Sequence, residues 1–239
     1  MIIGLWGSVF GDEIIYSQNF DNLEDGDIFG QDGWASIDEL SAGMGPLQVQ
    51  SNVALSGKAL EVEAFHETHI RWSEPVGTGT CYLSIFFRKE NADAGNTLHI
   101  YMGKGALAWS AGPVIRIGSQ SGGALDDIGV HDGSDNVIEQ PAKYKVGEWH
   151  HIREVIDVDN MTFDVYLDGK DIGNFMFRNA THDTIDWLMI GFDEGTGVLG
   201  YYDAVEFGLG KGEGAFTRAT PVEPLEKLST TWGTLKVGY

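Results

Sequence analysis

Residues 149–169 read WHHIREVIDVDNMTFDVYLDG. Phe163, Val165 and Leu167 alternate with Thr162, Asp164 and Tyr166, the period of two that a half-buried strand shows. Asp159-Asn160 and Asp168-Gly169 supply residues that tolerate the backbone angles of a turn. The spacing predicts two long strands joined in a hairpin. Such a hairpin is marginal in water by itself. The rest of the chain must therefore supply a second sheet to cover its apolar face.

Working outward, the same alternation recurs. Strands are predicted over 14–20, 58–65, 68–72, 80–88, 97–103, 114–118, 128–131, 174–177, 187–192 and 201–207, with a Pro- and Gly-containing turn over 74–80. Helical crossovers and a fixed-length repeat are missing, so the pattern implies an all-β, two-sheet antiparallel β-sandwich of jelly-roll type. Three consecutive strands decide the candidate site. Cys81, Leu83, Ile85 and Phe87 share one face of the first, and Tyr82, Ser84, Phe86 and Arg88 the other. Leu98, Ile100 and Met102 oppose His99 and Tyr101 in the second, and Ile115 and Ile117 oppose Arg116 in the third. Strands adjacent in sequence are usually adjacent in space. The expectation is one continuous outer surface of rings, arginines and a histidine.

Composition narrows the partners. The chain has 239 residues, 33 Gly but only 6 Pro, and a formal charge of -21 from 36 acidic and 15 basic side chains. That length suits a single sandwich domain with a substantial core. The charge repels nucleic acid and anionic membrane surfaces at long range and attracts calcium. Cys81 is the only cysteine, which excludes an internal disulfide and a Cys-based metal site; its place in the apolar alternation makes it a buried thiol. No apolar run approaches the ~18 residues of a membrane span. Residues 1–11, MIIGLWGSVFG, are apolar and uncharged, and read as a signal-peptide remnant or a first strand. The domain reading is that segment, a sandwich over 12–210, and a C-terminal extension over 211–239.

The hairpin G147-E-W-H-H-I … V165-Y-L-D-G resembles the signature of concanavalin A-like domains of the laminin G type. Residues 56–62, SGKALEV, resemble the early strand of that family, and 201–208, YYDAVEFG, its closing strand. The likeness covers roughly residues 14–208 and is more specific for fold than for function. It implies a concanavalin A-like jelly roll whose concave face binds glycans or hosts glycosidases and lyases. It also implies a structural Ca²⁺ held by the closing-strand Asp203 with Asp21 and backbone oxygens near residues 24–26. The terminal KLSTTWGTLK, residues 227–236, resembles a tail of extracellular proteins from some marine bacteria, which favours secretion.

Sugars stack on rings while their hydroxyls meet polar groups. Trp72, Tyr82, Phe86, Tyr101 and Trp109 are candidate platform rings, with Arg88, His99 and Arg116 as donors. A polysaccharide lyase would use His99 and Tyr101 to move protons and Arg88 and Arg116 to neutralise a uronate. The Q-[IV]-H and Tyr-x-Lys strands of alginate lyases are missing, however. A retaining glycosidase needs two carboxylates ~5–5.5 Å apart. Glu154 and Asp157 are three residues apart, which places them on opposite faces of a strand. The readings, in order, are a secreted carbohydrate-binding protein, a polysaccharide lyase or other glycan-active enzyme, and a self-assembling structural protein.

Overall fold

A computed structural model describes residues 12–38, 40, 43–90, 97–118, 126–134, 138–192 and 197–215. The readings of residues 1–11 and of 216–239 lie outside the described residues. Sixteen strands are present among them: β1 (Glu13–Gln18), β2 (Gly26–Asp27), β3 (Ala35–Ser36), β4 (Gln48–Gln50), β5 (Ala59–Glu63), β6 (His66–Val76), β7 (Thr80–Lys89), β8 (Leu98–Gly103), β9 (Val114–Ile117), β10 (Asp127–His131), β11 (Ile138–Lys143), β12 (Trp149–Asp157), β13 (Thr162–Leu167), β14 (Lys170–Met176), β15 (Ile185–Phe192) and β16 (Val198–Leu209). The first sheet runs β14-β13-β12-β7-β16-β5-β4-β2, with β1 alongside β16. The second runs β11-β10-β9-β8-β15-β6-β3. Every ladder is antiparallel. The fold is the all-β, two-sheet sandwich that the alternation implies. Among the described residues no helix is long and apolar enough to cross a membrane.

The hairpin forms where the sequence places it, but the left-handed residue of its turn is Met161 and neither Asp159 nor Asn160. Ile152 faces Leu167 and Ile156 faces Phe163, with Met161 at φ 54° closing the turn. Ile152, Ile156, Phe163, Val165 and Leu167 enter the core with Cys81, Leu83, Ile85 and Phe87 of β7. From the second sheet, Leu98, Ile100, Met102, Ile115 and Ile117 meet them. Each such buried aliphatic side chain contributes about 1.5–3 kcal/mol over its exposed state.

The expected single outer surface does not form. β7 lies in the first sheet, between β12 and β16, whereas β8 and β9 lie in the second. Alternation tells a strand which face to bury, but not which of two facing sheets to join, because both inner faces are apolar. Tyr82, Phe86 and Arg88 therefore project from the opposite side of the molecule to His99, Tyr101 and Arg116. Trp72 is also relocated. It shares parity with Ile70 and points into the core, where its ring stacks on Phe207 at 4.5 Å. The turn predicted over 74–80 is shorter than expected, since β6 continues through Pro75 to Val76. β11 was not foreseen; it is an edge strand, which is where Pro141 is tolerated.

Candidate functional site

The outer face of the second sheet carries side chains in rungs set by strand register. One rung crosses five strands: Glu67 of β6, Gly191 of β15, His99 of β8, Arg116 of β9 and Gly129 of β10. His99 and Arg116 are direct cross-strand partners, as their shared face required. The next rung is His69, Met189, Tyr101 and Val114. In HETHIRW, Glu67, His69 and Arg71 alternate with Thr68 and Ile70. That alternation is the sequence signal that joins Glu67 and His69 to this face.

Gly191 makes the first rung possible. It has φ +132°, and a Cβ there would lie 2.3 Å from the His66 carbonyl and 2.9 Å from Glu67 Cγ. Its missing side chain leaves room for Glu67 beside it. Glu67 Oε1 stands 3.6 Å from His99 Nδ1, both groups fully or almost fully buried. The His99 ring stacks on Tyr101 at 4.7 Å and meets Phe192 edge-on at 4.5 Å. Burial, then the charges of Arg116, Arg178 and His131, push the His99 imidazole well below its ordinary value. It is therefore a neutral base beside a carboxyl group and a guanidinium. His131, on β10, is buried close by.

The second rung is covered instead of open. Tyr101, Val114, Met189 and Trp187 form a second, smaller core with Ile37, Leu107 and Ala111, against which Trp109 packs partly buried. Tyr101 is thus not a bare platform ring. Arg116 is the one member of the charged rung with intermediate exposure, the others being buried.

The residues on the opposite face have partners of their own. The Tyr82 hydroxyl donates to Glu206 Oε1 at 2.7 Å, and a Cβ on Gly212 would fall 2.3 Å from its ring, so the chain after β16 lies against it. Phe86 lies against the His151 ring at 4.7 Å, and Arg88 pairs with Glu90 at 2.6 Å. Ser84 Oγ and His151 Nε2 are 2.7 Å apart, a buried pair that the sequence reading did not single out. Glu154 and Asp157 do point to opposite faces: Glu154 is buried and Asp157 caps the hairpin turn through Asn160.

The expected calcium ligands meet at one segment, residues 55–58. Asp203 Oδ2 accepts the Leu55 amide at 2.9 Å, and Asp21 Oδ1 accepts the Lys58 amide at 2.8 Å. Gly57 at φ +61° is required there, because a Cβ would overlap Asp21 Oδ1 at 1.9 Å. Burial, together with the charge of Asp21, raises the Asp203 carboxyl to about 7 despite its backbone bonds. Asp21 is thus near enough for its charge to act on the Asp203 carboxyl. The Lys58 ammonium lies on the Leu23 carbonyl and Asp25, and Gln31 Nε2 donates to the Glu24 carbonyl, so the stretch expected to give backbone oxygens near 24–26 already has partners within the fold. Among the described residues, no group of three or more His, Cys, Asp or Glu side chains gathers as a metal site.

Neither a protein-family model nor a curated protein matches the chain. Solved structures do. A sialidase superposes with a TM-score of 0.58 at 14% identity, over 82% of this chain. The two-sheet sandwich is what they share. This chain spans only 18% of that sialidase. The globular domain of T. cruzi calreticulin gives 0.58 at 9% identity, over 85% of this chain and 91% of that one. Domain 4 of AbnA, a GH43 extracellular arabinanase from Geobacillus stearothermophilus solved in complex with arabinotriose, gives 0.54 at 17% identity, over 87% and 98%. At such identities the likeness establishes the fold and leaves the chemistry to the residues.

Proposed function

We propose that the protein binds carbohydrate on the outer face of its second sheet, at the rung Glu67–His99–Arg116. The observation that carries this is the burial of that rung. Taking charged groups out of water costs several kcal/mol, and an apolar rung of the same shape would hold the sandwich as well. Charged and imidazole groups kept there against that cost mark a ligand site. The carbohydrate class draws support from the sandwich shared with a domain solved with arabinotriose. On this reading the chain is a concanavalin A-like domain of the laminin G type, which the resemblance of its hairpin supports. Secretion and one structural Ca²⁺ on Asp21 and Asp203 belong to the same proposal. Those two carboxylates would supply charged ligands, and the ion would tie β16 to the 55–58 segment.

A second reading has its own observation. Glu67, His99 and Tyr101 are three proton-handling groups buried side by side, which suits a lyase or another glycan-active enzyme. One experiment addresses both. A panel of glycans is screened for retention and, in parallel, for unsaturated products or new reducing ends. Glu67→Gln is expected to weaken retention about tenfold, and Arg88→Ala, on the far face, to leave it unchanged. Equal loss in both variants, or retention by neither wild type nor variants, would remove the assignment to this face. Turnover abolished by His99→Gln would replace the binding reading with the enzymatic one.

A further inference from the structure

Arg116 differs from the other described arginines. Arg71 donates to the Gly105 carbonyl and pairs with Asp186. Arg88 pairs with Glu90, Arg153 donates to the Lys211 carbonyl, and Arg178 to the Trp109 carbonyl. Arg116 has no hydrogen bond or ion pair among the described residues, and its Nε is buried without a partner. This occurs in a chain with 36 acidic and 15 basic side chains, where carboxylates are abundant and cations scarce. A partly desolvated guanidinium without an anion is unfavourable by itself. Nor does its register neighbour on β10, Gly129, offer a side chain to satisfy it. The neighbour on the other side, His99, is an imidazole and supplies no anion, and neither of its ring nitrogens has a hydrogen bond among the described residues.

We infer that the ligand of this face is an acidic sugar, its oxyanion bound by the Arg116 guanidinium beside His99. This rests on the glycan reading above and names the class of glycan. A planar fork of N–H donors matches a carboxylate with two parallel bonds, and a sulfate ester with similar geometry. The Arg116 guanidinium would then offer one local positive charge on a molecule of net charge -21. Binding would be a contest between this near contact and the long-range repulsion of a -21 chain. Added salt screens the distant charges more than the buried pair, so affinity should hold or rise with salt.

The test uses the full chain and matched glycans. Fragments of pectate, alginate, hyaluronate and a sulfated galactan are titrated, each beside its carboxyl-reduced or desulfated counterpart, at low and at physiological salt. The expected result is that the acidic member of at least one pair binds about tenfold or more tighter than its neutral twin. Which pair does so separates carboxylate from sulfate. Arg116→Gln should erase that preference, and Arg116→Lys should keep part of it. Because the Arg116 side chain makes no hydrogen bond or ion pair among the described residues, Arg116→Gln should not lower the melting temperature. Neutral twins binding as well as acidic ones, a preference that survives Arg116→Gln, or a large loss of stability in that variant would overturn the inference while leaving the glycan reading in place. Binding to no member of any pair would remove both.

Discussion

Glu154 sits in register between Leu83 of β7 and Val165 of β13, both core residues. It shares parity with Ile152 and Ile156, so its carboxyl group enters the sandwich interior. It is fully buried, and neither oxygen has a hydrogen-bond partner among the described residues. Burial raises it to about 8. The folded state holds this proton more tightly than the unfolded chain, so stability falls as pH rises from the ordinary carboxylate range through about 8. Glu154→Leu is expected to stabilise by about 1–4 kcal/mol at pH above that value and much less in acid, measured by denaturant unfolding at both pH values. An equal effect at the two pH values would show that the carboxyl is not titrating in the core.

The decisive element is β15. It is flanked by β6 and β8 and carries the Gly191 gap that admits Glu67. Gly191→Ala would place a Cβ against the His66 carbonyl and the Glu67 Cα, at a φ that L residues rarely adopt. The expected outcome is a loss of several kcal/mol. Amide-exchange protection should fall first along residues 187–192 and their β6 partners. A variant as stable as the parent would mean that β15 can shift sideways, and that the rung geometry is not imposed by this glycine. The hairpin β12–β13 is the contrasting element. Its turn residues and alternation are local, and it forms where the sequence places it.

Across the whole molecule, the surplus of acidic side chains is a repulsive load that a bound cation would relieve. The Asp21–Asp203 pair offers the specific version of that effect. Asp203 is raised to about 7, so without a cation stability falls as pH rises toward that value and stays low above it. Calcium favours the ionised form. The melting temperature should therefore rise on adding Ca²⁺ by a larger margin at pH 8 than at pH 5, and Asp203→Asn should shrink the difference. Magnesium at equal ionic strength controls for screening. A melting temperature indifferent to chelator at pH 8 would dispose of the calcium proposal.

The alternation of side chains by itself determined the fold class, the hairpin, the inner faces of β7, β8 and β9, and the pairing of His99 with Arg116 on one surface. Those are properties of period and turn chemistry, which are local. Only the tertiary structure decided that β7 and β8 part company into different sheets, because a choice between two apolar inner faces is made by packing and not by either strand. The same packing stacked Trp72 on Phe207, roofed Tyr101 with Ile37 and Leu107, and carried Glu67 across the gap at Gly191 to His99. Those contacts join residues that are far apart in the chain, and no short stretch of sequence encodes them.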